Sequence, residues 1–438
     1  MSGYAAFLER KQRIAQPDGK ETGASEVHAM LHDWQRMVVA WACHRGRAAI
    51  FADCGLGKTF MQLEWARLMH ERGALIVAPL SVAGQTIREA QRIGVDVEYV
   101  TGTPGGSGGI YVTNYERLDG IDADRFDAVV LDESSILKNY VGKTRTAIID
   151  QFRATPFRLA CTATPAPNDV AELTNHAEFL GRSTRQDMLG AYFITNMDKG
   201  DGGGYRLKGH AKEPMFRWMA QWAVSVRRPS DLSGSDDGYI LPGLEVHPEI
   251  VAVDVKPAGQ LFATDLGGVG GRAQIRRETM DARIERAVQI AEAHGDEQII
   301  LWAGLNDEAD ALAAAVPDSV NVQGSWPPDA KAEALEAFQS GDLRALITKP
   351  SIAGFGMNFQ NARRMAFVGM GDSYEAYYQA IRRCYRFGQE RRVHVHVVVS
   401  EIEQQIALNV ARKERASSEA ADLLARFETV TNYEGARR

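Results

Sequence analysis

The residues best suited to carry out chemistry lie in Phe51–Phe60, which reads FADCGLGKTF. The apolar residues before it predict a buried strand, and Thr59–Leu68 predicts a helix after it. A strand, a glycine-containing turn and Gly57-Lys58-Thr59 at a helix start are typical of a phosphate-binding loop, whose backbone N–H groups and helix dipole attract phosphate oxygens. Lys58 would contact nucleotide phosphates and Thr59 would bind Mg²⁺. Ala52 stands where the usual pattern has its first glycine, so a simple glycine-containing turn is the alternative.

Two carboxylates follow a second apolar run. Phe126–Ser135 reads FDAVVLDESS, in which Asp132 and Glu133 come directly after a predicted buried strand. In open α/β sheets, ligands bind beyond the carboxyl ends of the strands. Asp132 could therefore hold Mg²⁺, directly or through water, and Glu133 could orient and deprotonate an attacking water. A solvated turn is the alternative for this segment taken alone.

Polar side chains elsewhere could serve the same site. Thr162 and Thr164 end the predicted strand in Phe157–Asn168, and small hydroxyl residues beside a phosphate site can relay the state of the γ-phosphate. A strand end stopped by proline is the alternative. Gln35 lies upstream of the loop, and its amide could pair with the donor and acceptor of an adenine edge. A surface glutamine on a helix explains Gln35 equally well.

The clearest basic patch of the chain is 363–392, which contains seven arginines and three acidic residues. Tyr374–Gln389, YEAYYQAIRRCYRFGQ, predicts a helix in which Arg383 and Arg386 lie on one face. Guanidinium groups keep their charge and pair with phosphate oxygens, which suits both residues to act as arginine fingers. A solvated basic helix is the alternative.

Two segments have a structural explanation beside a functional one. Aromatic residues 216, 218 and 222 precede Arg227-Arg228 and could contact nucleic acid, but their helical spacing favours a core. His394 and His396 alternate with valines and could bind a metal. No carboxylate or cysteine joins them in this stretch, so we expect a half-exposed edge strand over Val393–Val399.

Apolar strand-like runs alternate with helical patterns in both halves of the chain. Gly73–Ala78, for example, is followed by the helical pattern of Ser81–Ile93, and Gln298–Trp302 by that of Asn306–Ala315. This alternation favours parallel sheets flanked by helices. We predict a flexible leader over 1–25, a first domain over 26–235, and a second domain with the C-terminal helices over 236–438.

The composition narrows the class of protein. The 438 residues, 45% of them hydrophobic, suffice for about two or three globular domains. A net charge of −7 means that any nucleic-acid site must be local. None of the four cysteines forms a CxxC pair, so free thiols in a reducing cytoplasm are expected. Neither a signal peptide nor an apolar run of membrane-spanning length is present, which predicts no membrane association.

Seven segments in order resemble the motif series of superfamily-two helicases, most closely the Swi/Snf-like branch. They are ADCGLGKT, APLSV, TNYE, DESSILKN, TATPAPN, GFGMNFQ and QAIRRCYRFGQ, within roughly residues 28–410. In that branch the DE motif continues into a lysine-asparagine pair, as Lys138-Asn139 does here. Its last motif ends in arginine, a variable residue, glycine and glutamine, as residues 386–389 do.

The resemblance implies two tandem RecA-like domains with an ATP cleft between them, and ATP hydrolysis coupled to movement on duplex DNA. The cofactors would be ATP and Mg²⁺. It implies catalytic roles for Lys58, Glu133, Arg383 and Arg386. Metal-binding roles fall to Thr59 and Asp132, and nucleotide-binding roles to Gln35, Gly55, Gly57, Lys58, Thr59, Gly356 and Gln379. Contacts to nucleic acid, or coupling to it, would involve Thr113, Asn114, Thr162, Thr164 and Asn358.

Two departures from the branch change the expectations. Ser134-Ser135 follow the carboxylates where the branch usually has glycine or alanine and then histidine. That histidine often links the ATP site to the coupling motif, so we expect a different link here. The interval between the motifs that the family itself numbers third and fourth is short for the branch, about 130 residues, so the helical insertions of chromatin remodellers are small or missing. These features favour a bare motor of bacterial or phage type, in the bacterial or host cytoplasm, with a protein partner for targeting or nuclease function.

The alternatives to a duplex DNA translocase are a strand-separating DNA or RNA helicase, an ATPase within a restriction or repair complex, and a nucleic-acid scaffold with a dead ATP site. The unwinding enzyme would need a strand-splitting pin, which the sequence does not reveal. The intact Lys58, Asp132 and Glu133 argue against the scaffold.

Overall fold

The computed structural model describes residues 15–106, 108–138, 142–196, 204–252, 277–353, 358–369, 373–400 and 404–437. The chain forms two compact units. The first comprises the residues up to Asp237 together with those from Arg415 onward, and the second is Gly238–Glu414.

The first unit is built on a seven-stranded sheet with a separate two-stranded ribbon. Its strands are β1 Arg47–Ala52, β2 Ala74–Ala78, β3 Val97–Tyr99, β4 Ile110–Asn114, β5 Ala128–Asp132, β6 Phe157–Cys161, β7 Phe193–Asn196, β8 Gly204–Leu207 and β9 Ala223–Val226. Its helices are α1 Asp33–Arg45, α2 Lys58–Met69, α3 Leu80–Arg92, α4 Lys143–Gln151, α5 Leu173–Phe179, α6 Arg185–Tyr192 and α7 Lys212–Met219.

The main sheet has the order β3-β4-β2-β5-β6-β1-β9, and every neighbouring pair is parallel. The ribbon β7-β8 is antiparallel. Strands β1, β2, β4 and β5 are buried along almost their whole length, as near-continuous apolar runs in a covered parallel sheet should be. The carboxyl ends of β5, β6 and β1 are therefore neighbours at one edge of the sheet.

The aromatic residues before Arg227 belong to the core. Phe216, Trp218 and Trp222 are at most 5% exposed and pack with the residues beneath the sheet. This confirms the core explanation over the nucleic-acid one. Arg227 instead pairs with Asp422, at 2.8 Å.

Residues 15–25 do not form the flexible leader that we predicted. The Ala15 amide donates to Gln221 Oε1 at 2.8 Å, and the Lys20 amide donates to the Cys43 carbonyl at 2.9 Å. The polar composition of this segment concealed backbone hydrogen bonds to α1 and to the loop before β9. Residues 1–14 lie outside the described part of the chain.

The second unit is a six-stranded sheet with helices. Its strands are β10 Leu244–Val251, β11 Ile299–Trp302, β12 Ser319–Asn321, β13 Ala345–Thr348, β14 Arg364–Phe367 and β15 Val393–Ser400. Its helices are α8 Met280–Glu292, α9 Asn306–Ala315, α10 Pro328–Ser340, α11 Pro350–Ala353 and α12 Tyr374–Ile381. The order is β10-β15-β14-β11-β13-β12, again entirely parallel. The predicted α/β class with two parallel sheets is confirmed.

The prediction of an edge strand over Val393–Val399 is wrong. β15 lies between β14 and β10, and β10 is the outermost strand among the described residues. His394 and His396 lie on one face of this inner strand, where they contact Glu245 and Glu249 of β10 at 3.4 and 2.8 Å.

The C-terminal helix α13, Gln404–Arg426, does not stay with the second unit, where we expected it. From Arg415 onward the chain belongs to the first unit. Ala420, Leu424 and Val430 are buried there, and the Trp41 indole N–H donates to Thr429 Oγ1 at 3.1 Å. The apolar side chains of this tail supply part of the first unit's core.

A buried ion pair fixes two loops of the second unit. Arg283 Nη2 lies 2.7 Å from Glu308 Oε1, and both side chains are at most 1% exposed. Glu308 Oε2 also accepts the backbone N–H groups of Gly304, at 2.8 Å, and Leu305, at 3.0 Å. Arg283 also donates to the Val368 carbonyl. The pair therefore ties α8 to the loops that follow β11 and β14.

Arg283→Met should lower the free energy of unfolding by about 3–5 kcal/mol, because Glu308 would be left buried without its counter-charge. Arg286→Met is the matched control on the same helix. Its pair with Glu249 leaves the Arg286 side chain 42% exposed, so we expect a change of about 1 kcal/mol or less. Urea unfolding followed by circular dichroism measures both. Equal losses in the two variants would contradict the importance of the buried pair.

Candidate active site

The loop between β1 and α2 has the backbone of a phosphate cradle. Gly55 and Gly57 have φ angles of 87° and 72°, in the left-handed region that favours glycine. The Lys58 ammonium donates to the carbonyl oxygens of Ala52, at 2.9 Å, and Asp53, at 3.3 Å. Thr59 follows in the first turn of α2, half-buried. The loop thus places a cation, a hydroxyl and a helix N-terminus side by side.

Gln35 is part of this loop's support. It is 5% exposed, its Nε2 donates to the Leu56 carbonyl at 2.9 Å, and its Oε1 accepts the His32 amide at 2.8 Å. A Cβ at Gly57 would lie 2.4 Å from Gln35 Nε2, so a larger residue there would displace the Gln35 amide as well as strain the left-handed backbone. The interpretation of Gln35 as a surface residue is therefore wrong. Its contact with adenine stays a prediction.

Asp132 ends β5 and is 5% exposed. Its Oδ1 accepts a hydrogen bond from Gln62 Nε2 of α2 at 2.7 Å, and its carbonyl accepts one from the Tyr115 hydroxyl at 2.6 Å. Burial raises the pKa of Asp132, while the Gln62 hydrogen bond and the Lys58 charge act in the opposite direction. The solvated-turn alternative does not fit so buried a carboxylate.

Glu133 has a φ of 51°, one of three positive values among the non-glycine residues that the structure describes. This costly backbone conformation turns the chain sharply after β5. Thr162 Oγ1 donates to Glu133 Oε2 at 3.2 Å, and the Thr164 amide donates to Thr162 Oγ1 at 3.1 Å. The Thr164 hydroxyl is buried without a hydrogen-bond partner. The carboxylate after β5 is thereby linked to the hydroxyl segment after β6.

A histidine that the sequence reasoning missed lies beneath the carboxylates. His176 of α5 is fully buried, and its Nε2 lies 3.1 Å from Ser134 Oγ. Its ring packs edge-on against Phe51 at the end of β1, with 5.2 Å between ring centroids. Burial lowers the pKa of His176 to about 4, so it is neutral at pH 7. Ser134, which stands near where the Swi/Snf-like branch usually has histidine, thus contacts a histidine from elsewhere in the chain.

Thr113 and Asn114 end β4 and are buried. The Thr113 hydroxyl donates to the Val100 carbonyl at 2.8 Å, and Asn114 Nδ2 donates to the Tyr99 hydroxyl at 3.2 Å. Both side chains therefore brace β3 against β4 in this structure. Their predicted role at nucleic acid remains a prediction.

In the second unit, the prediction that Arg383 and Arg386 share a helical face is wrong. Helix α12 ends at Ile381, and both arginines lie in the turns after it. Arg383 is 5% exposed, and its Nε and Nη2 donate to the carbonyl and side-chain oxygens of Gln379 at 3.0 and 2.9 Å. Arg386 is half-buried. The turns after Ile381 are held by Gln389, whose Nε2 donates to the Cys384 carbonyl at 3.2 Å.

Gln389 joins the two predicted motifs of this unit. Its Nε2 donates to the carbonyl oxygens of Gln360, Ala362 and Cys384 at 2.9–3.2 Å. Gly388 has a φ of 88°, and a Cβ there would lie 2.7 Å from Gln360 Oε1. The backbone carbonyl of Asn358 accepts a hydrogen bond from Gln339 at 2.9 Å. Gly356 lies outside the described residues.

Part of the chain is similar to a known protein family. Residues 282–388 match the family model of the helicase conserved C-terminal domain. The match extends from α8 to Gly388 and includes Gln379, Arg383 and Arg386. It covers about a quarter of the chain, all of it in the second unit.

A curated relative is the ATP-dependent helicase fft1 of Schizosaccharomyces pombe, 28% identical over 178 residues. The alignment covers 34% of this chain and 19% of that protein. The chain therefore spans about a fifth of the relative's length.

Solved structures were compared with the whole chain. The structure titled S. cerevisiae Dbp5 bound to RNA and ADP BeF3 matches with a TM-score of 0.55 and 11% identity, over 91% of this chain and 96% of that one. The Sulfolobus solfataricus SWI2/SNF2 ATPase core in complex with dsDNA matches with a TM-score of 0.42 and 18% identity, over 92% and 95%. The Dbp5 match supports a tandem RecA-like fold.

Lowering the pH from 7 to 5 should reduce the free energy of unfolding by about 2 kcal/mol through His176 alone. The native imidazole stays neutral down to a pKa of about 4, whereas the unfolded chain gains the proton near 6.5. The unfolded state thus binds more protons between pH 7 and 5, and the free energy of unfolding decreases as the pH is lowered.

His176→Gln retains an amide for the contact with Ser134 but cannot titrate, so it should remove this pH dependence. Urea unfolding at pH 7, 6 and 5, followed by tryptophan fluorescence, measures it. His210→Gln, at an exposed histidine, is the control and should leave the slope unchanged. An unaltered slope in His176→Gln would refute the assignment.

Proposed function

We propose that this protein is a nucleic-acid-stimulated ATPase that moves along duplex DNA. The observation that carries the proposal is the convergence of three segments at one edge of the first sheet. The phosphate loop after β1, the carboxylates after β5 and the threonines after β6 lie on adjacent parallel strands. The helicase-domain match in the second unit and the relative named an ATP-dependent helicase support it.

The residues of the first unit fit a nucleoside triphosphate with Mg²⁺. Gly55 and Gly57 shape the loop with left-handed backbone angles, and Lys58 offers a cation to phosphate oxygens. Thr59 and Asp132 provide the oxygen ligands that Mg²⁺ prefers. When bound, Mg²⁺ would neutralise phosphate charge.

In this proposal, Glu133 orients a water molecule and accepts its proton, and Thr162 holds the Glu133 carboxylate through their 3.2 Å hydrogen bond. Arg383 and Arg386 stabilise the negative charge that develops on the transferred phosphoryl group. Gln379 orients Arg383 through two hydrogen bonds. The hydrogen bonds that link Glu133, Thr162 and Thr164 transmit the state of the nucleotide toward bound nucleic acid.

Duplex DNA is proposed because the last motif and the lysine-asparagine pair resemble the Swi/Snf-like branch. RNA is the main competitor, since the Dbp5 structure contains RNA. The described part of the chain has no helix both long and apolar enough to cross a membrane. The four free cysteines fit a reducing compartment, and we place the protein in the cytoplasm of a bacterial or phage-infected cell, with a partner protein for targeting.

Glu133→Gln should lower the kcat for ATP hydrolysis by about 10²–10⁴-fold, because it removes the general base while preserving shape. Lys58→Ala should abolish turnover. Both variants should still bind DNA, measured by fluorescence anisotropy. Glu98→Gln, at an exposed acidic residue of β3 outside all seven segments, is the control and should hydrolyse ATP normally. Wild-type turnover in Glu133→Gln would eliminate its role as base.

Arg386→Ala should lower kcat by about 10³-fold with little change in ATP affinity, because a finger acts on the transition state. Arg382→Ala is the matched control from the same turn. Its guanidinium stacks on Tyr378 and Tyr385, with 5.1 and 5.4 Å to the ring centroids. A loss of ATP affinity as the main effect of Arg386→Ala would contradict the finger role.

The nucleic-acid substrate is tested by steady-state ATPase assays without nucleic acid and with single-stranded DNA, duplex DNA or RNA. The translocase requires strong stimulation by duplex DNA, falling as salt rises, and displacement of a third strand from a triplex. Stimulation by single strands or RNA alone would favour an unwinding helicase. Absence of both hydrolysis and nucleotide binding would favour the scaffold.

A further inference from the structure

Strands β10 and β15 bring together histidines and carboxylates that are remote in sequence. Their parallel register pairs Glu245 with His394 and His247 with His396. Because alternate residues of paired strands share a face, all four side chains lie on the same side of the sheet. The carboxylate missing from the sequence around His394 is therefore supplied by the edge strand.

Three of these side chains place their ligand atoms in a small triangle. His247 Nε2 and His394 Nδ1 are 3.1 Å apart, and Glu245 Oε2 lies 3.4 Å from His394 Nδ1 and 3.8 Å from His247 Nε2. The point in their plane that is equidistant from the three atoms lies about 2.0 Å from each, so an ion about 0.6 Å out of that plane would lie about 2.1 Å from each, within the zinc–nitrogen and zinc–oxygen distances of about 2.0–2.2 Å. The triangle has the dimensions of one face of a zinc coordination tetrahedron.

Neighbouring side chains hold this triangle in place. Arg392 pairs with Oε1 of Glu245, which leaves Oε2 directed to the histidines. The His396 ring stacks on that of His247, with 4.8 Å between centroids. His396 in turn contacts Glu249 at 2.8 Å, and Arg286 donates to the same carboxylate at 2.8 Å. Such outer contacts are what orient metal ligands in established sites.

We propose that Glu245, His247 and His394 bind one divalent transition-metal ion, with zinc the best match. Two imidazole nitrogens and one carboxylate favour zinc over Mg²⁺ or Ca²⁺, which prefer all-oxygen sites. The side chains are 40%, 38% and 19% exposed, so water can complete the coordination. Among the described residues β10 pairs with β15 alone, and the ion joins β10 to the rest of the second sheet.

The proposal is independent of nucleotide chemistry, since its ligands all lie in the second unit and the Mg²⁺ ligands proposed above lie in the first. Its test uses the full chain without a polyhistidine tag, stripped of metal with a chelator and assayed in excess Mg²⁺. Calorimetric titration with ZnCl₂ should show one site per chain with micromolar or tighter affinity. Zinc should also raise the melting temperature, because it binds only the folded arrangement.

His247→Ala and His394→Ala should each weaken zinc binding by at least about 10-fold. His294→Ala is the matched control, because this histidine lies near His396 but outside the triangle, and it should bind zinc normally. Glu245→Gln removes the ligand charge at nearly constant shape and keeps the test valid if an alanine variant fails to fold. Circular dichroism without metal establishes folding.

Co²⁺ provides a second readout that does not depend on stability. The wild type should give the intense visible bands of four-coordinate cobalt without the near-ultraviolet thiolate band that a cysteine ligand adds. Glu245→Gln should weaken those bands. Three results would overturn the proposal: zinc binding no tighter than millimolar, equal binding by wild type, His247→Ala and His394→Ala, or a thiolate band.

Discussion

The parallel direction of the strands is the constraint on which the candidate site depends. In a parallel sheet all carboxyl ends meet at one edge, so residues following different strands become neighbours whatever their separation in sequence. In the first unit β5, β6 and β1 are adjacent. Asp132, Thr162 and Lys58, which follow these strands or end them, are thereby brought to one place. The hydrogen bonds of Glu133 with Thr162 and of Asp132 with Gln62 then fix the local geometry.

The sequence predicted the elements whose signal is local and strong. Continuous apolar runs such as Ala74–Ala78 and Ile299–Trp302 are strands because covered parallel strands have no polar face. It missed Leu244–Val251, whose glutamates, histidine and proline resemble a loop. Among the described residues that strand is the outermost of its sheet and none of its residues is fully buried, so burial imposes no apolar pattern. The same omission made β15 look like an edge.

At the site, the sequence indicated the residues of the loop and the carboxylates but not what holds them. Nothing local shows that Gln35 would support the loop, that His176 would contact Ser134, or that Arg283 would pair with Glu308. Each contact joins segments that tertiary packing brings together, and the buried polar atoms must find partners wherever the fold places them. The expected shared face of Arg383 and Arg386 failed for a related reason. Gln389 binds three backbone carbonyls, and this tertiary contact holds the chain in turns after Ile381, where residue spacing alone would continue the helix.

The return of the last residues to the first unit has a consequence for synthesis. Domains usually fold as units while the chain emerges from the ribosome, beginning with the N-terminal one. Here Trp41 donates a hydrogen bond to Thr429, and the Tyr433 ring stacks on that of His44, with 4.6 Å between the ring centroids. The whole second unit is therefore translated before the first has all of its core. The order of completion is the reverse of the order of synthesis, and a nascent chain paused after Asp237 would still expose the surface that Val430 covers.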